Sequence, residues 1–426
     1  MQRSSLVELI EILEPEECQE FDQFLANDGA RPAESLRLFR YVLLAIQKSD
    51  ADALDKKQVY QAIFSENPPV KGKLEKLMAE LNKQLRQFLQ TRNYFLPEND
   101  FRTIFDLAEM YRKRGLQERY FHLLKKLNAM QANTRRKSTA YFFRQFQLEY
   151  SLHENQSIYN KKKGDVNIPA VLRNLDIYYH LNRLDLLNYF LLQSKMANLE
   201  LSEEIQFALR ETTLPQRYLN ASSVLNITFH IFKLLQSESV QPADFQKIAN
   251  LLKKHESEIE PEKRDQFYTY LRNLCVIMIN AGLEDFWQTL HEIQRDNLQR
   301  GLLYHAEHKG KLTPSTFLNL VSVALHVGQA QWVDAFLQSH QDRIIGDNET
   351  YDFFRLNQAC HLFAQGKYDE ALDHIPASSP YLDYQLMARR LALKIYLELK
   401  SDLLSYKLDA FKILIRRMSK KNLLYR

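Results

Sequence analysis

Glycine and proline are scarce, with ten and twelve in 426 residues, against usual shares of about 7% and 5%. Both interrupt regular backbone. Their scarcity, beside abundant Leu, Lys, Glu and Gln, points to an almost wholly helical chain. The glycines are also isolated, the nearest two being Gly301 and Gly310. Loops that cradle phosphate need clustered glycines so that backbone N–H groups can close on the ligand, so Walker and Rossmann fingerprints are excluded. There is no G-x-S-x-G elbow and no H-E-x-x-H. Three cysteines, Cys18, Cys275 and Cys360, lie too far apart for a C-x-x-C pair or a disulfide framework, which fits a reducing compartment. Apolar runs such as Leu274–Ile279 fall far short of the ~18 residues a membrane span needs. Acidic residues interrupt the opening MQRSSLVELIEILEPEE, so it lacks a signal peptide's apolar core. A soluble, cytoplasmic chain is the expectation. Nor does one charge dominate: 57 Lys and Arg stand against 53 Asp and Glu, a net +4 too small to imply a polyanion partner for the whole chain.

The stretch that organises the rest is Tyr351–Pro376, YDFFRLNQACHLFAQGKYDEALDHIP. Phe353, Leu356, Ala359, Leu362 and Phe363 recur at helical steps, Gly366 can take the left-handed conformation that closes a helix, and Tyr368, Ala371, Leu372 and Ile375 form a second apolar face. The seven-residue interval from a small or apolar residue to a closer recurs. It appears as Ala108–Gly115, Cys275–Gly282 and Val321–Gly328, and as Leu175–Asn182 with asparagine in the glycine's place. Asn182 is therefore expected to end a helix. The chain exceeds the ~250–300 residues at which one core stops growing, so several domains or an extended array is expected. Its 25 Phe and 22 Tyr are read first as filling between stacked helix pairs.

In Tyr351–Pro376 the order small residue, apolar at +3, glycine at +7, aromatic at +9 and alanine at +12 resembles a tetratricopeptide repeat. The family's early tryptophan is absent, Arg355 holding that place, and Pro376 comes too soon for its closing proline. Together LVELIEILEPEECQEFDQFL, YQAIF with LEKLMAELNKQLRQFL, LDIYYHLNRLDLL, LTPSTFLNLVSVAL and ARRLALKIYLEL resemble a family of uncharacterised bacterial helical-repeat proteins. The resemblance covers nearly the whole chain, implies the fold and carries no assigned activity. The fold class expected is all-α: an N-terminal helical domain over residues 1–95, then an α-solenoid of antiparallel, tetratricopeptide-like helix pairs over 99–426.

Along the chain, Pro15 opens a helix, Asp55 with Gln58 forms a capping box, and Leu96-Pro97-Glu98-Asn99 marks a junction. Prolines 169, 215, 242, 261, 314 and 380 fall where helices should begin, Thr313-Pro314 being an N-cap and first-turn pair. The helix–loop–helix VYQAIFSENPPVKGKLEKLMAELNKQLRQFL, whose long helix runs from about Lys73 to Thr91, faintly resembles the helical part of winged-helix domains, with Lys73, Lys76, Asn82, Lys83 and Arg86 available to a recognition helix. No wing follows, and Glu75 and Glu80 break the positive face, so a solvated helical hairpin is the reading.

No residue set demands chemistry. His305 and His308, in HAEH, stand one turn apart, but no third ligand is evident, so neither metal nor cofactor is expected. The chain reads as a non-enzymatic scaffold holding a peptide or protein. In the tetratricopeptide register, positions four and five beyond the small residue line the groove. They are Arg112 and Lys113, Tyr179 and His180, Ile279 and Asn280, Leu325 and His326. The alternative is nucleic acid. From Arg102 to Lys163 there are 14 Lys or Arg against 5 Asp or Glu, including Arg112-Lys113-Arg114, Lys125-Lys126, Arg135-Arg136-Lys137 and Lys161-Lys162-Lys163. Tyr141, Phe142, Phe143, Phe146 and Tyr150 are interleaved, and cations that neutralise phosphates beside rings that stack on bases are what single strands need.

Overall fold

A computed structural model describes residues 4–27, 33–50, 52–64, 70–159, 167–197, 200–237, 241–305, 307–308, 310–347, 352–376 and 382–423. Every regular element among them is helical, and the only β-pairing there is a single bridge between Leu312 and Ile344. The chain divides into two compact units, Met1–Asn133 and Thr134–Arg426.

The first unit contains α1 (Ser5–Glu11), α2 (Pro15–Ala26), α3 (Ala33–Gln47), α4 (Lys56–Ile63), α5 (Lys73–Tyr94), α6 (Asp100–Lys113) and α7 (Gln117–Ala132). Local chemistry sets the starts. Pro15 occupies the first turn of α2, and the Glu17 carboxylate accepts from the Glu14 amide at 3.0 Å, a capping box. The Asp55 side chain caps α4 by accepting from the Lys57 amide at 2.9 Å. Helices α1–α5 share one core, in which Phe21 meets Phe39 edge-on at 4.9 Å and Phe88 at 5.2 Å. Helix α5 is its centre, with Leu74, Leu77, Leu81, Leu85 and Phe88 buried. Its polar side faces α1, where Asn82 donates to the Ser5 hydroxyl at 2.6 Å and itself accepts from Arg86 at 2.9 Å. The junction at Pro97 is one 3-10 turn, Pro97–Asn99, leading into the α6–α7 pair.

The second unit contains α8 (Thr139–Tyr159), α9 (Ile168–Ala197), α10 (Glu203–Arg210), α11 (Gln216–Ala221), α12 (Ser223–Gln236), α13 (Pro242–His255), α14 (Pro261–Asn280), α15 (Phe286–Gln299), α16 (Pro314–His326), α17 (Ala330–Ser339), α18 (Phe353–Ala364), α19 (Tyr368–Asp373), α20 (Leu382–Glu398) and α21 (Leu404–Leu423). Pro242, Pro261 and Pro314 open α13, α14 and α16, and the Thr313 hydroxyl accepts from the Thr316 amide at 3.2 Å. Pro380 and Lys161–Lys163 lie outside the described residues. Most helices pack on chain neighbours: α8 on α9, α12 on α13, then α13 through α21 in succession, with α16–α18 and α18–α20 as next-nearest pairs. The Tyr384 hydroxyl donates to the Pro314 carbonyl at 2.5 Å, fastening α20 to the start of α16.

One closure recurs. The residue after the cap donates to the carbonyl five back, and the cap itself to the carbonyl three back, as in a Schellman turn. It ends α6 at Gly115, α14 at Gly282, α15 at Gly301, α16 at Gly328 and α18 at Gly366, all with φ between 74° and 88°. The same two bonds close α3 at Ser49 and α20 at Lys400, non-glycine residues forced to φ 53° and 50°. Asn182 behaves otherwise. Helix α9 runs unbroken through it, and its amide donates to the Tyr178 carbonyl at 2.8 Å, an i to i−4 bond made inside a continuing helix. The asparagine expected to end a helix is thus satisfied by the turn before it.

Candidate interaction surface

Of the residues expected to line a groove, His326 at the end of α16 is met by side chains from the start of α15 and the turn before it. Gly282 closes α14, leaving Asn280 exposed at its end, and the following turn carries Glu284 to within 4.0 Å of His326 Nε2 at the end of α16. In the first turn of α15, half-buried Trp287 lies against the His326 imidazole, the ring centroids 4.0 Å apart and the planes tilted by 32°. Leu325 is half-buried beside it. The rings continue inward. His291 lies edge-on to Trp332 at 5.4 Å, Trp332 stacks on Phe336 at 5.1 Å, and Phe336 on His340 at 4.5 Å. Burial holds the His291 and His340 imidazoles below the usual histidine range, so both are neutral near pH 7. Both tryptophans of the chain belong to this set. Sequence reading named neither, because a pairing across α15 and α16, or α15 and α17, leaves no mark in the spacing along one helix.

The other groove candidates lie elsewhere. Arg112 and Lys113 belong to the first unit; Arg112 is half-buried and bonded to Glu109 on its own helix, at 2.7 and 2.9 Å, while Lys113 is exposed. Tyr179 and His180 sit in the middle of α9, not at a helix end. Tyr179 is half-exposed, and its hydroxyl accepts from Arg183 at 2.7 Å. His180 is half-buried, and its pKa is lowered chiefly by that burial.

The basic segment is divided. Arg114, Lys125 and Lys126 are exposed in the first unit; Arg135, Arg136 and Lys137 are exposed in the second, where Arg135 donates to the Ser257 hydroxyl at 3.1 Å. Of the interleaved rings, Phe142 is buried in the core and Tyr141 packs against that core, while Phe143 leans on Tyr178 at 5.0 Å. Phe143 and Tyr150 keep exposed surface. The rings thus serve packing at least as much as they offer stacking faces.

Glu307 joins His305 and His308: one ligand-type atom from each lies within 4.8 Å of the others, in an exposed loop after α15. Burial pushes the Cys275 and Cys360 thiols up to about 12, so neither is a nucleophile near neutrality. A cavity of about 680 Å³ opens among α18, α19, α20 and α21, with Arg389, Tyr406 and Lys407 on its wall. Among the described residues no helix is long and apolar enough to cross a membrane. Comparison with known protein families, curated proteins and solved structures finds no match to this chain.

Proposed function

We propose that this chain is a non-enzymatic interaction scaffold. Its helix pairs form a tetratricopeptide-like array, of the bacterial helical-repeat kind its sequence resembles, and it holds a peptide or protein partner in the cytoplasm. The observation that carries the reading is the Glu284–Trp287–His326 surface. There a half-buried tryptophan backs an exposed imidazole, with a carboxylate beside them. Tryptophan is enriched among residues that dominate binding energy, and an aromatic floor with polar rims suits a peptide better than a small metabolite. Within the second unit the repeated pairs α14–α15, α16–α17 and α18–α19, each joined across the same closure, support the array. Three unpaired cysteines agree with a reducing compartment.

The test is a photo-crosslinking residue installed in the full-length chain at position 326 and, as a control, at exposed Lys254 on α13. In lysate of the native cell, 326 gives a discrete crosslinked polypeptide that 254 does not, and Trp287→Ala abolishes it. Identical labelling from both positions contradicts the reading.

A further inference from the structure

Helix α9 has two apolar faces, and only one is covered. It is 30 residues long, roughly 45 Å at ~1.5 Å per residue. Its inner face, with Ile177, Leu181, Leu184 and Leu191, is buried in the second unit's core, where Asn188 donates to the Thr228 carbonyl at 2.9 Å. On the opposite side lie Leu172, Leu175, Tyr179, Asn182, Leu186 and Tyr189, all exposed, with Leu186 at 73% and Tyr189 at 63%. Their spacing is 3, 4, 3, 4 and 3, the a and d positions of a coiled coil. Ile168 and Met196 extend the same pattern at both ends, 43% and 56% exposed. A lone exposed leucine needs no explanation, but a heptad stripe along the back of a buried helix does. A helix apolar all round is one that is covered all round.

We propose that the outer face of α9 pairs, antiparallel, with α9 of a second copy of the chain. The stripe is complementary to itself about a two-fold axis between residues 180 and 181. With Tyr179 facing Asn182 of the second copy, Leu175 meets Leu186 and Leu172 meets Tyr189, each contact made twice, as an isologous interface requires. The flanking charges agree. Asp176 and Arg183 follow Leu175 and Asn182 on the same edge, and the two-fold brings each near its opposite in the other copy. Both are already positioned: Asp176 accepts from the Tyr218 hydroxyl at 2.5 Å, and Arg183 donates to Thr212 and to the Ala208 carbonyl, each at 3.0 Å, as well as to Tyr179. Tyr179 is thereby held in one orientation before association, which lowers the ordering cost. The two tyrosines alone, at about 200 Å² for a full aromatic side chain, offer roughly 220 Å² per copy, and five exposed aliphatic side chains add to this toward the ~800 Å² per partner of a standard interface. An asparagine in such a seam costs stability but fixes register, which gives Asn182 a role that helix closure does not. This surface is separate from the Trp287 patch and stands or falls independently of it.

The test uses the full-length protein in sedimentation velocity over a dilution series starting on the order of 100 µM. The wild type sediments as a dimer, and Leu186→Glu with Tyr189→Glu sediments as a monomer with unchanged far-UV circular dichroism. A second experiment reads the pairing without disrupting it. In a Cys18→Ser background, Leu175→Cys and Leu186→Cys proteins are mixed and oxidised, and the mixed 175–186 disulfide exceeds either like-with-like product at least tenfold. A wild type that stays monomeric at the top concentration overturns the proposal, as does a dimer that survives the double glutamate variant. Preferential 175–175 and 186–186 disulfides overturn the antiparallel register.

Discussion

The two units are held together in different ways. In the first, one helix gathers the others: α5 packs on α1, α2 and α3, two to four places back, Phe88 reaches Phe21 and Phe24, and Arg92 bonds Glu17 and Glu20 at 2.9 and 2.7 Å. In the second, most packing joins helices one or two places apart, though α9 also packs on α12 and α14. A core closed by distant contacts is gained or lost as a whole, whereas a row of neighbours can open from one place without the rest. The histidines divide unevenly as well. His122 is the first unit's only one, while the second carries eleven, four of them held neutral by burial.

The largest expected effect comes from emptying the first core. Phe21 is fully buried among three other phenylalanines, and Phe21→Ala removes about 3–5 kcal/mol, a large part of a small unit's stability. Urea unfolding followed by mass-resolved hydrogen exchange then shows α1–α5 opening together. Phe317→Ala, equally buried on α16, costs a similar ~3–5 kcal/mol but exposes only the amides of α16 to α18. Equal spreading from both substitutions breaks the comparison.

The next effect is smaller and has two signs. Gly366 sits at φ 77° with nothing within 4 Å of where a Cβ would be, so Gly366→Ala is resisted by backbone conformation alone, at about 1–2 kcal/mol. Lys400 makes the same closure at φ 50° with a side chain; Lys400→Gly stabilises the α20 end by about 1 kcal/mol, the relief of left-handed strain less the added freedom of the unfolded chain. Thermal melts of the two variants shift in opposite directions.

The smallest expected effect is on pH dependence. Burial lowers the folded-state pKa of His180, His230, His291 and His340 below the ordinary ~6.5. As pH falls through that value the unfolded chain takes up protons that the folded chain does not. Their contribution is therefore whole above about 6.5 and declines as pH drops through the lowered values. Melts between pH 7.5 and 5 show the second unit losing stability first, and His291→Gln makes its profile shallower. An unchanged profile in that variant removes His291 from the account.

That the chain is helical was legible because it rests on local chemistry. Helical periodicity, Thr313-Pro314 as a start and the glycines at 115, 282, 328 and 366 as ends are each properties of a few adjacent residues. The closures at Ser49 and Lys400 were not, since neither residue favours φ above zero and only tertiary packing imposes it. The interval from Leu175 to Asn182 matched the pattern for a different reason. Those residues are successive members of the exposed seam on α9, and a heptad repeat and a seven-residue distance to a closing residue look alike until the helix is seen to continue. Placing a helix end at Asn182 hid both the 30-residue helix and its uncovered face. Of the candidate site, His326 was singled out by register, whereas Glu284 and Trp287 came only from the packing of α15 against α16.

The proposed array requires that the second unit behave as a row of helix pairs, each stabilised chiefly by its neighbours. Native-state hydrogen exchange across a denaturant series tests this most directly. The account predicts one shared opening free energy for α1–α5 and several distinct values along α12 to α21, with steps at the glycine closures. A single opening free energy shared by all of α12 to α21 would contradict it.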